Sequence, residues 1–256
     1  MGQVTRISAT IITLNEARNI GRCLASLEGI ADEIIVLDAF STDATAEICA
    51  QYGVTFVQRA WEGYAASKNY LNSLAQFDYI LSLDADEAVS PELKAALLEA
   101  RTTGLSGTYE LNRRTNYCGK WIYHSGWYPD LKPRLFQKKN CRWEGEYVHE
   151  ELVCTNNSLQ TRLDGDLYHY SYYSYTDHRA RADKYSLLTA RKFAAQGKKA
   201  SILKPYFSAI ARFISMYFIK RGFLDGWMGF KIAQISALSN ILKYKELRRL
   251  NHEQKH

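Results

Sequence analysis

An acidic pair follows an apolar run in the first third of the sequence. Asp84 and Asp86 come directly after residues 79–83, and side-chain alternation along a strand is expected to aim both carboxylates to the same side. Two hard oxygen ligands at a strand end can hold Mg²⁺ or Mn²⁺ against a diphosphate. Aspartates at strand ends also serve as turn and cap residues. The pair alone therefore leaves both a metal site and a simple turn open.

Polar side chains also end two earlier strand-like runs. Asp38 ends residues 33–38, and because Ser41 or Thr42 can cap the next helix, we expect Asp38 to be free at the carboxyl edge of the sheet. A carboxylate there can accept a hydrogen bond from a ribose hydroxyl or a base N–H. The first run ends in the same way on Thr13, Asn15 and Glu16. Three strand ends are thus expected to face one crevice.

The first hundred residues alternate between strand-like runs and segments of helical spacing. The predicted strands are 8–13, 33–38, 54–57 and 79–83. The predicted helices are 16–27, 42–52, 64–75 and one that begins at Ser90-Pro91, with Ser at the cap and Pro in the first turn. This alternation predicts an α/β fold with a mostly parallel sheet flanked by helices, which binds ligands at the carboxyl ends of its strands.

The rest of the chain has two different sequence patterns. Residues 105–175 contain short, aromatic-rich segments that predict mixed strands at 108–113, 133–138, 147–154 and 166–170. From residue 177 the spacing is helical again and predicts helices at 177–195, 205–221 and 226–247. We expect the strand-rich part to bind a substrate.

The C-terminal region is basic. Residues 198–256 contain 12 Lys and Arg against 3 Asp and Glu, whereas the whole chain has a net charge of +6. Such asymmetry is typical of a nucleic-acid or anionic-membrane partner, or of a solvated helix face. Since no nucleic-acid-binding motif accompanies the charges, no nucleic acid is expected. The apolar residues 206–219 suit a buried helix or one in a membrane interface. The cations expected at lipid phosphates are Lys220, Arg221, Lys243, Lys245, Arg248 and Arg249.

Cysteine usage and the N-terminus bear on the compartment. The five cysteines form no C-x-x-C pair, and their odd number cannot all be paired within one chain. This pattern predicts a reducing, cytosolic compartment. No basic segment followed by a long apolar run is recognisable at the N-terminus, so we expect neither a classical signal nor an N-terminal anchor.

The order of these motifs resembles glycosyltransferase family 2, the inverting nucleotide-sugar transferases of the GT-A fold. The matching text is Ile11-Ile12-Thr13-Leu14-Asn15-Glu16, Val36-Leu37-Asp38 with Ser41-Thr42-Asp43, Lys68-Asn69, and Leu83-Asp84-Ala85-Asp86-Glu87. The resemblance implies a Rossmann-like GT-A sheet with a C-terminal helical extension. It also implies a UDP-sugar donor and a divalent metal, Mg or Mn.

The resemblance assigns roles residue by residue. Thr13, Glu16 and Asp38 would contact base and ribose, and Asp84 and Asp86 would contact ribose, metal and phosphates. The nucleotide-sugar site would also include Asn15, Lys68 and Asn69. One departure is Ala39-Phe40, where many members have Asp-Gly or Gly-Ser.

The second half resembles a narrower group, the lipopolysaccharide inner-core glucosyltransferases that extend the first heptose. The resemblance rests on the segments 132–136, 143–150, 167–170 and 220–230. It implies transfer of a hexose, most simply glucose from UDP-glucose, to a sugar of a lipid-linked glycan. The enzyme would then be cytoplasmic and peripheral to the inner face of the cytoplasmic membrane. The alternative is a polyprenyl-phosphate or other cell-surface glycan transferase.

Inverting transfer needs a carboxylate that takes the proton of the acceptor hydroxyl. Glu150 lies where family members have this base, and Glu151 and Asp130 are the alternatives. His169 is expected either to bind the metal or to pack as a core residue. Lys132 and Arg134 are expected either to contact phosphates of substrate or acceptor, or to face solvent.

These assignments predict a division of the chain. Residues 1–175 would form the GT-A catalytic domain, with a nucleotide-sugar half at about 1–104 and an acceptor half at about 105–175. Residues 176–256 would form a C-terminal helical region.

Overall fold

The computed structural model describes residues 4–145, 150–155 and 160–253. The strands are β1 Ile7–Thr13, β2 Glu33–Asp38, β3 Thr55–Gln58, β4 Tyr79–Asp84, β5 Glu87–Val89, β6 Thr108–Tyr117, β7 Lys120–Trp121, β8 Leu131–Gln137, β9 Cys141–Glu144, β10 Glu151–Cys154 and β11 Gln160–Tyr172. The α-helices are α1 Ile20–Ser26, α2 Thr45–Ala50, α3 Tyr64–Leu74, α4 Pro91–Thr103, α5 Tyr175–Ala195, α6 Lys204–Ile214 and α7 Trp227–Glu253. A π-helical turn, Ser215–Ile219, follows α6, and a 3-10 turn, Gly222–Asp225, precedes α7.

The chain forms two compact units. The first contains Met1–Arg113 and Asp130–Tyr170, and the second contains Arg114–Pro129 and Ser171–His256. The main sheet has the strand order β3-β2-β1-β4-β8-β6-β11-β5, and it is parallel from β3 to β4 and antiparallel where β8 joins β4. The predicted α/β fold is therefore confirmed, with a parallel nucleus that the antiparallel strands of the second half extend.

Apolar sequence determines the parallel nucleus. Every residue of β1 is buried, because helices cover both faces of the strand and leave no face for water. The start of α4 is also as the sequence predicts: Ser90 Oγ accepts a hydrogen bond from Leu93 N, and Pro91 occupies the first turn. The strands therefore end at one edge, where their last residues are available for chemistry.

Two helices begin later than the sequence predicts. α1 begins at Ile20 rather than at residue 16, and α2 begins at Thr45 rather than at residue 42. The loops that precede them are braced against each other, since Asn15 N donates to Ser41 Oγ (2.7 Å) and Glu16 N donates to Thr45 Oγ1 (2.9 Å). These side chains satisfy backbone N–H groups of the first loop while it has a non-helical conformation. The brace therefore fixes both loops beside the strand ends.

The second unit has an aromatic core of its own. Tyr117 is fully buried, its hydroxyl lies 2.8 Å from His178 Nδ1, and Trp127 and Tyr172 pack edge-on against its ring. Burial lowers the pKa of His178 to about 4, so this imidazole is neutral at physiological pH and can accept from the phenol. Among the described residues, no helix has both the length and the apolar composition of a membrane-spanning segment.

Asp225 organises the other end of the second unit. Its buried carboxylate accepts from the backbone N–H groups of Tyr123 (3.2 Å) and His124 (2.9 Å). The backbones of Gly222 and Gly229 approach each other closely nearby, because a Cβ on Gly229 would lie 1.8 Å from the carbonyl oxygen of Gly222. Glycine is thus required where the 3-10 turn meets α7, and this explains the glycine spacing of the segment 220–230.

One prediction about the cysteines is wrong. Cys141 and Cys154 form a disulfide bond, although cysteine usage predicts reduced thiols. The antiparallel pairing of β9 with β10 places these residues directly opposite each other, which brings the sulfurs within bonding distance. The predicted strand 147–154 is described only from Glu151, since residues 147–149 lie outside the described residues.

Gly165 lets β11 approach α4 at backbone contact distance. Its φ is +92°, and a Cβ there would lie 2.3 Å from Leu93 N and 2.7 Å from Leu93 Cα. Two hydrogen bonds stabilise this contact: Ser90 N donates to Asp166 O (3.1 Å), and Asp166 N donates to Ser90 Oγ (3.2 Å). The register of β11 is therefore fixed against the start of α4.

We predict that Gly165→Ala lowers the free energy of unfolding by about 2–4 kcal/mol, because the methyl group meets backbone atoms and the positive φ is strained. The matched control is Gly104→Ala, since Gly104 has a similar φ of +99° with no atom within 4 Å of an added Cβ. The control should lose only about 1 kcal/mol in urea unfolding. Equal losses for the two variants would contradict the packing argument.

Candidate functional site

The predicted strand ends do meet at one edge of the sheet. In the parallel pairing of β1 with β2, Thr13 stands beside Asp38, and in the pairing of β1 with β4, Ile12 stands beside Asp84. Thr13 Oγ1 is buried and has no hydrogen-bond partner within the described part of the chain. Such a hydroxyl is available to a ligand that reaches this edge.

Asp38 is not the free carboxylate that the sequence predicts. It is completely buried, and its Oδ2 accepts from Ser41 N (2.9 Å) and Gln58 Nε2 (3.0 Å), while its Oδ1 accepts from Ser41 Oγ. Ser41 hydrogen-bonds to this carboxylate and does not cap the helix, because α2 begins four residues later and has no side-chain cap. Asp38 therefore shapes the loop after β2, and a contact with ribose or base stays a prediction.

Asn15 and Glu16 are likewise engaged with the protein. Asn15 Oδ1 accepts from Thr42 N (2.8 Å), across the two braced loops. Glu16 Oε2 accepts from Asn19 Nδ2 (2.7 Å). Both residues thus lie at the predicted edge and hold its loops in place, and their contact with a nucleotide stays a prediction.

Asp84 is held by two cations. Its Oδ2 lies 2.7 Å from a guanidinium nitrogen of Arg134, and its Oδ1 lies 3.1 Å from Lys68 Nζ, off the line of a hydrogen bond. Burial raises the pKa of Asp84, but the Coulombic attraction of Lys68 and Arg134 outweighs burial and holds this pKa far below its ordinary value. Asp84 is therefore an anion at any physiological pH.

Lys68 joins Asp84 to Glu150. Lys68 is 2% exposed, and its Nζ lies 3.2 Å from Glu150 Oε1 and 4.7 Å from the centre of the Trp143 ring. The neighbouring Asn69 fixes this geometry, because its amide forms two hydrogen bonds with the Trp143 backbone, of 2.8 and 2.9 Å. These bonds tie α3 to β9. Direct binding of a nucleotide sugar by Lys68 and Asn69 stays a prediction.

The second candidate base, Asp130, has two cationic partners. Arg113 lies 2.8 Å from its Oδ2, and Lys132 lies 3.0 Å from its Oδ1. Burial raises the pKa of Asp130, but these two cations hold it below the ordinary value. The third candidate, Glu151, is exposed at the start of β10, opposite Glu144.

Glu87 connects the two groups of charges. It is fully buried, and its Oε1 accepts a hydrogen bond from Arg134 and lies 3.6 Å from Arg113, while its Oε2 accepts from Asp84 N (3.0 Å). Arg134 thus does not face solvent, and its contact with an acceptor or phosphate stays a prediction. Eight side chains of alternating sign now form one series, which we call the ion-pair chain: Lys132, Asp130, Arg113, Glu87, Arg134, Asp84, Lys68 and Glu150.

Asp86 has a different partner from Asp84. β4 ends at Asp84, so strand alternation does not continue to Asp86, whose Oδ2 lies 3.3 Å from His169 Nε2. The antiparallel pairing of β11 with β5 sets His169 opposite Glu87, the neighbour of Asp86. Burial raises the pKa of Asp86, but His169 outweighs burial and holds this pKa below its ordinary value.

Asp86 and His169 are suited to hold a divalent cation. A carboxylate oxygen and an imidazole nitrogen 3.3 Å apart are both ligands that Mn²⁺ accepts, and Mg²⁺ is commonly held by one or two carboxylates together with phosphate oxygens. The described residues contain no group of three or more His, Cys, Asp or Glu side chains that could hold a metal. The donor set therefore fits a cation that a bound diphosphate and water help to coordinate.

Sequence analysis did not find the roles of Arg113 and Glu87. Glu87 adjoins the acidic pair and is completely buried, a location that a carboxylate rarely adopts without a partner. No spacing rule could identify Arg113 as one of those partners, since 26 positions separate the two residues in the sequence. Only the packing of β6 beside β8 brings Arg113 to the site.

Comparisons with known proteins identify the family of the chain. The model of the family "Glycosyl transferase family 2" matches residues 8–151. An uncharacterized glycosyltransferase of Rickettsia felis is 33% identical over 95% of this chain and 89% of its own length. The lipopolysaccharide core biosynthesis glycosyltransferase LpsC of Rhizobium meliloti is 29% identical over 91% of this chain and 88% of its own.

A solved structure with a similar segment is glucosyl-3-phosphoglycerate synthase from Mycobacterium tuberculosis, in complex with Mn²⁺, UDP and phosphoglyceric acid. It is 24% identical, with a TM-score of 0.36, over 45% of this chain and 44% of that one. The family model covers the strand ends and the ion-pair chain up to Glu150. By this match over more than half of its length, the chain belongs to glycosyl transferase family 2.

Proposed function

We propose that this protein transfers a hexose, glucose from UDP-glucose, with inversion to a sugar hydroxyl of a lipid-linked glycan. The observation that carries the proposal is the position of Lys68, whose ammonium lies 3.1 Å from Asp84 and 3.2 Å from Glu150. Asp84, which ends β4, and Glu150, the candidate base, are thereby paired with the same ammonium group. Transfer needs this proximity, because the acceptor oxygen must attack the sugar carbon from the face opposite the leaving diphosphate.

Glu150 is proposed as the general base. Its carboxylate has one described cationic neighbour, Lys68, whereas the carboxylate of Asp130 is bound on both oxygens by Arg113 and Lys132. A carboxylate neutralised on both sides is a weaker proton acceptor. In the proposed step, Glu150 takes the proton of the acceptor hydroxyl, the new C–O bond forms, and the bond from sugar carbon to phosphate oxygen breaks.

Binding of the nucleotide-sugar donor is proposed to depend on a divalent cation, Mg or Mn. Asp86 and His169 would hold it, whereas the third predicted ligand, Asp84, is engaged with Arg134 and Lys68. The cation would supply positive charge to the departing diphosphate. Thr13, whose buried hydroxyl has no described partner, is proposed to bind the nucleoside together with Glu16 and Asp38. Asn15, Lys68, Asn69 and Asp84 would support the same nucleotide sugar, and Lys132 and Arg134 would balance charge toward the acceptor.

The acceptor is proposed to be a heptose of the lipopolysaccharide inner core. Support comes from the relative LpsC, whose name assigns it to lipopolysaccharide core biosynthesis, and from the similar length of the two chains. In the proposed domain division, residues 1–175 form the catalytic domain and residues 176–256 form the helical region. The proposed location is cytoplasmic, at the inner face of the cytoplasmic membrane, where such an acceptor and UDP-sugars meet. It rests on this chemistry and not on cysteine usage, because Cys141 and Cys154 form a disulfide bond.

We predict that UDP binds at least tenfold more weakly in EDTA than in Mn²⁺, because two phosphate charges would otherwise face Asp84 and Asp86 directly. Asp86→Asn should remove most of this dependence in calorimetry. The matched control is Asp78→Asn, an exposed residue that directly precedes β4, and it should bind UDP as the wild type does. Equal UDP affinity of the wild-type protein in EDTA and in Mn²⁺ would refute the metal proposal.

A second prediction separates the base from the binding residues. Glu150→Gln keeps a hydrogen-bond acceptor beside Lys68 and should leave UDP-glucose affinity within twofold, while turnover falls by about 10²–10⁴-fold. Glu151→Gln, the control at the adjacent exposed position, should leave turnover unchanged. If Asp130→Asn abolishes turnover and Glu150→Gln does not, Asp130 is the base. Full activity of both variants would favour a phosphate acceptor such as a polyprenyl phosphate, which needs no strong base.

A further inference from the structure

The second unit exposes an apolar stripe along one side of α6 and the π-helical turn. The stripe consists of Leu203, Tyr206, Phe207, Ile210, Ile214 and Phe218, which recur at helical spacing and are each at least 45% exposed. The opposite side of α6 is buried through Pro205 and Ala209, and it packs against α7. The helix therefore has one apolar side for the protein and a second apolar side without a described partner.

The stripe continues onto neighbouring aromatic rings of the same unit. Trp227 is 60% exposed and stacks on Phe230 at 5.2 Å between ring centres. Phe230 in turn lies 5.8 Å from Phe213 and 5.9 Å from Tyr217. Exposed apolar surface of this extent is costly in water, so it marks a contact surface.

The charges around the stripe indicate what it contacts. Lys204, Arg212, Lys220 and Arg221 are exposed beside it, and no Asp or Glu occurs between Asp183 and Asp225, where the sequence has nine Lys and Arg. Two copies of this surface in a symmetric contact would bring cations against cations. An anionic leaflet offers both an apolar interior for the stripe and phosphates for the cations.

We infer that α6 and the turn after it form an interfacial helix, which inserts this stripe between the headgroups of an anionic lipid bilayer. The inference rests on the proposed membrane location and deepens it, because it names the surface that contacts lipid and uses none of the residues proposed for donor chemistry. It also revises which residues of the basic region matter. Arg249 on α7 is paired with Glu246 and Glu253, and Lys243 is half-buried, so these cations are less available to lipid than those beside α6.

The test compares co-sedimentation of the full chain with vesicles of phosphatidylcholine alone and with 30% phosphatidylglycerol, a composition chosen for roughly the negative surface charge of a cytoplasmic leaflet. The wild-type protein should bind the anionic vesicles at least tenfold more strongly than the neutral ones. Phe207→Ser with Ile210→Ser should lower this binding at least tenfold. The matched control is Tyr185→Ser with Leu188→Ser, an exposed pair of the same spacing on α5, which should bind as the wild type does.

A second measurement starts from the wild-type protein, so it does not depend on how the Phe207/Ile210 variant folds. Lipids with brominated acyl chains should quench the tryptophan emission of the wild-type protein, and Trp227→Phe should lose most of that quenching. Unchanged binding of the Phe207/Ile210 variant, or absence of quenching, overturns the inference. A wild-type dimer in the absence of lipid that the same variant dissociates would assign the stripe to a second copy and also overturn it. UDP-glucose hydrolysis by all these variants should equal that of the wild type, so failure here is distinct from failure of the proposed function.

Discussion

The site depends on buried charges that neutralise one another. The ion-pair chain alternates in sign through eight side chains, and its centre, Glu87 with Arg134, is almost completely removed from water. Removing one partner of such a pair typically costs about 3–5 kcal/mol, because the remaining charge stays buried and uncompensated. The loops and elements that supply these charges, among them β4, β5, β6, β8 and α3, are therefore held together by electrostatics as well as by the apolar core.

This constraint has a consequence for function. The eight members of the chain carry equal numbers of positive and negative charges, so a diphosphate that enters beside Asp84 finds no spare cation among them. Asp86 and His169 lie next to the chain but outside it, at the one described carboxylate–imidazole pair of this region. A divalent cation held there would balance the incoming charge without breaking the ion pairs that orient Glu150. In this proposal the cation is held outside the ion-pair chain, while Glu150 stays paired with Lys68.

The sequence predicts the frame of this site well and its contacts less well. Thr13, Asp38 and Asp84 could be placed at one edge because parallel strands end together, and Ser90 could be placed at a cap because the capping pattern is local. The buried state of Asp38 and the Cys141–Cys154 bond depend on tertiary pairing, which one-dimensional spacing does not encode. The same holds for the partners of Glu87, which come from strands distant in the sequence.

The central claim is that the acceptor hydroxyl attacks the sugar carbon directly, in a single displacement, with Glu150 as the proposed base. Proton NMR of the first-formed product from UDP-α-glucose tests it most directly, because the coupling at the anomeric proton distinguishes the two configurations before they equilibrate. The account predicts a β-configured product, since a single displacement inverts the carbon. An α-configured first product would contradict it, because retention requires either a covalent intermediate or attack from the side of the leaving group.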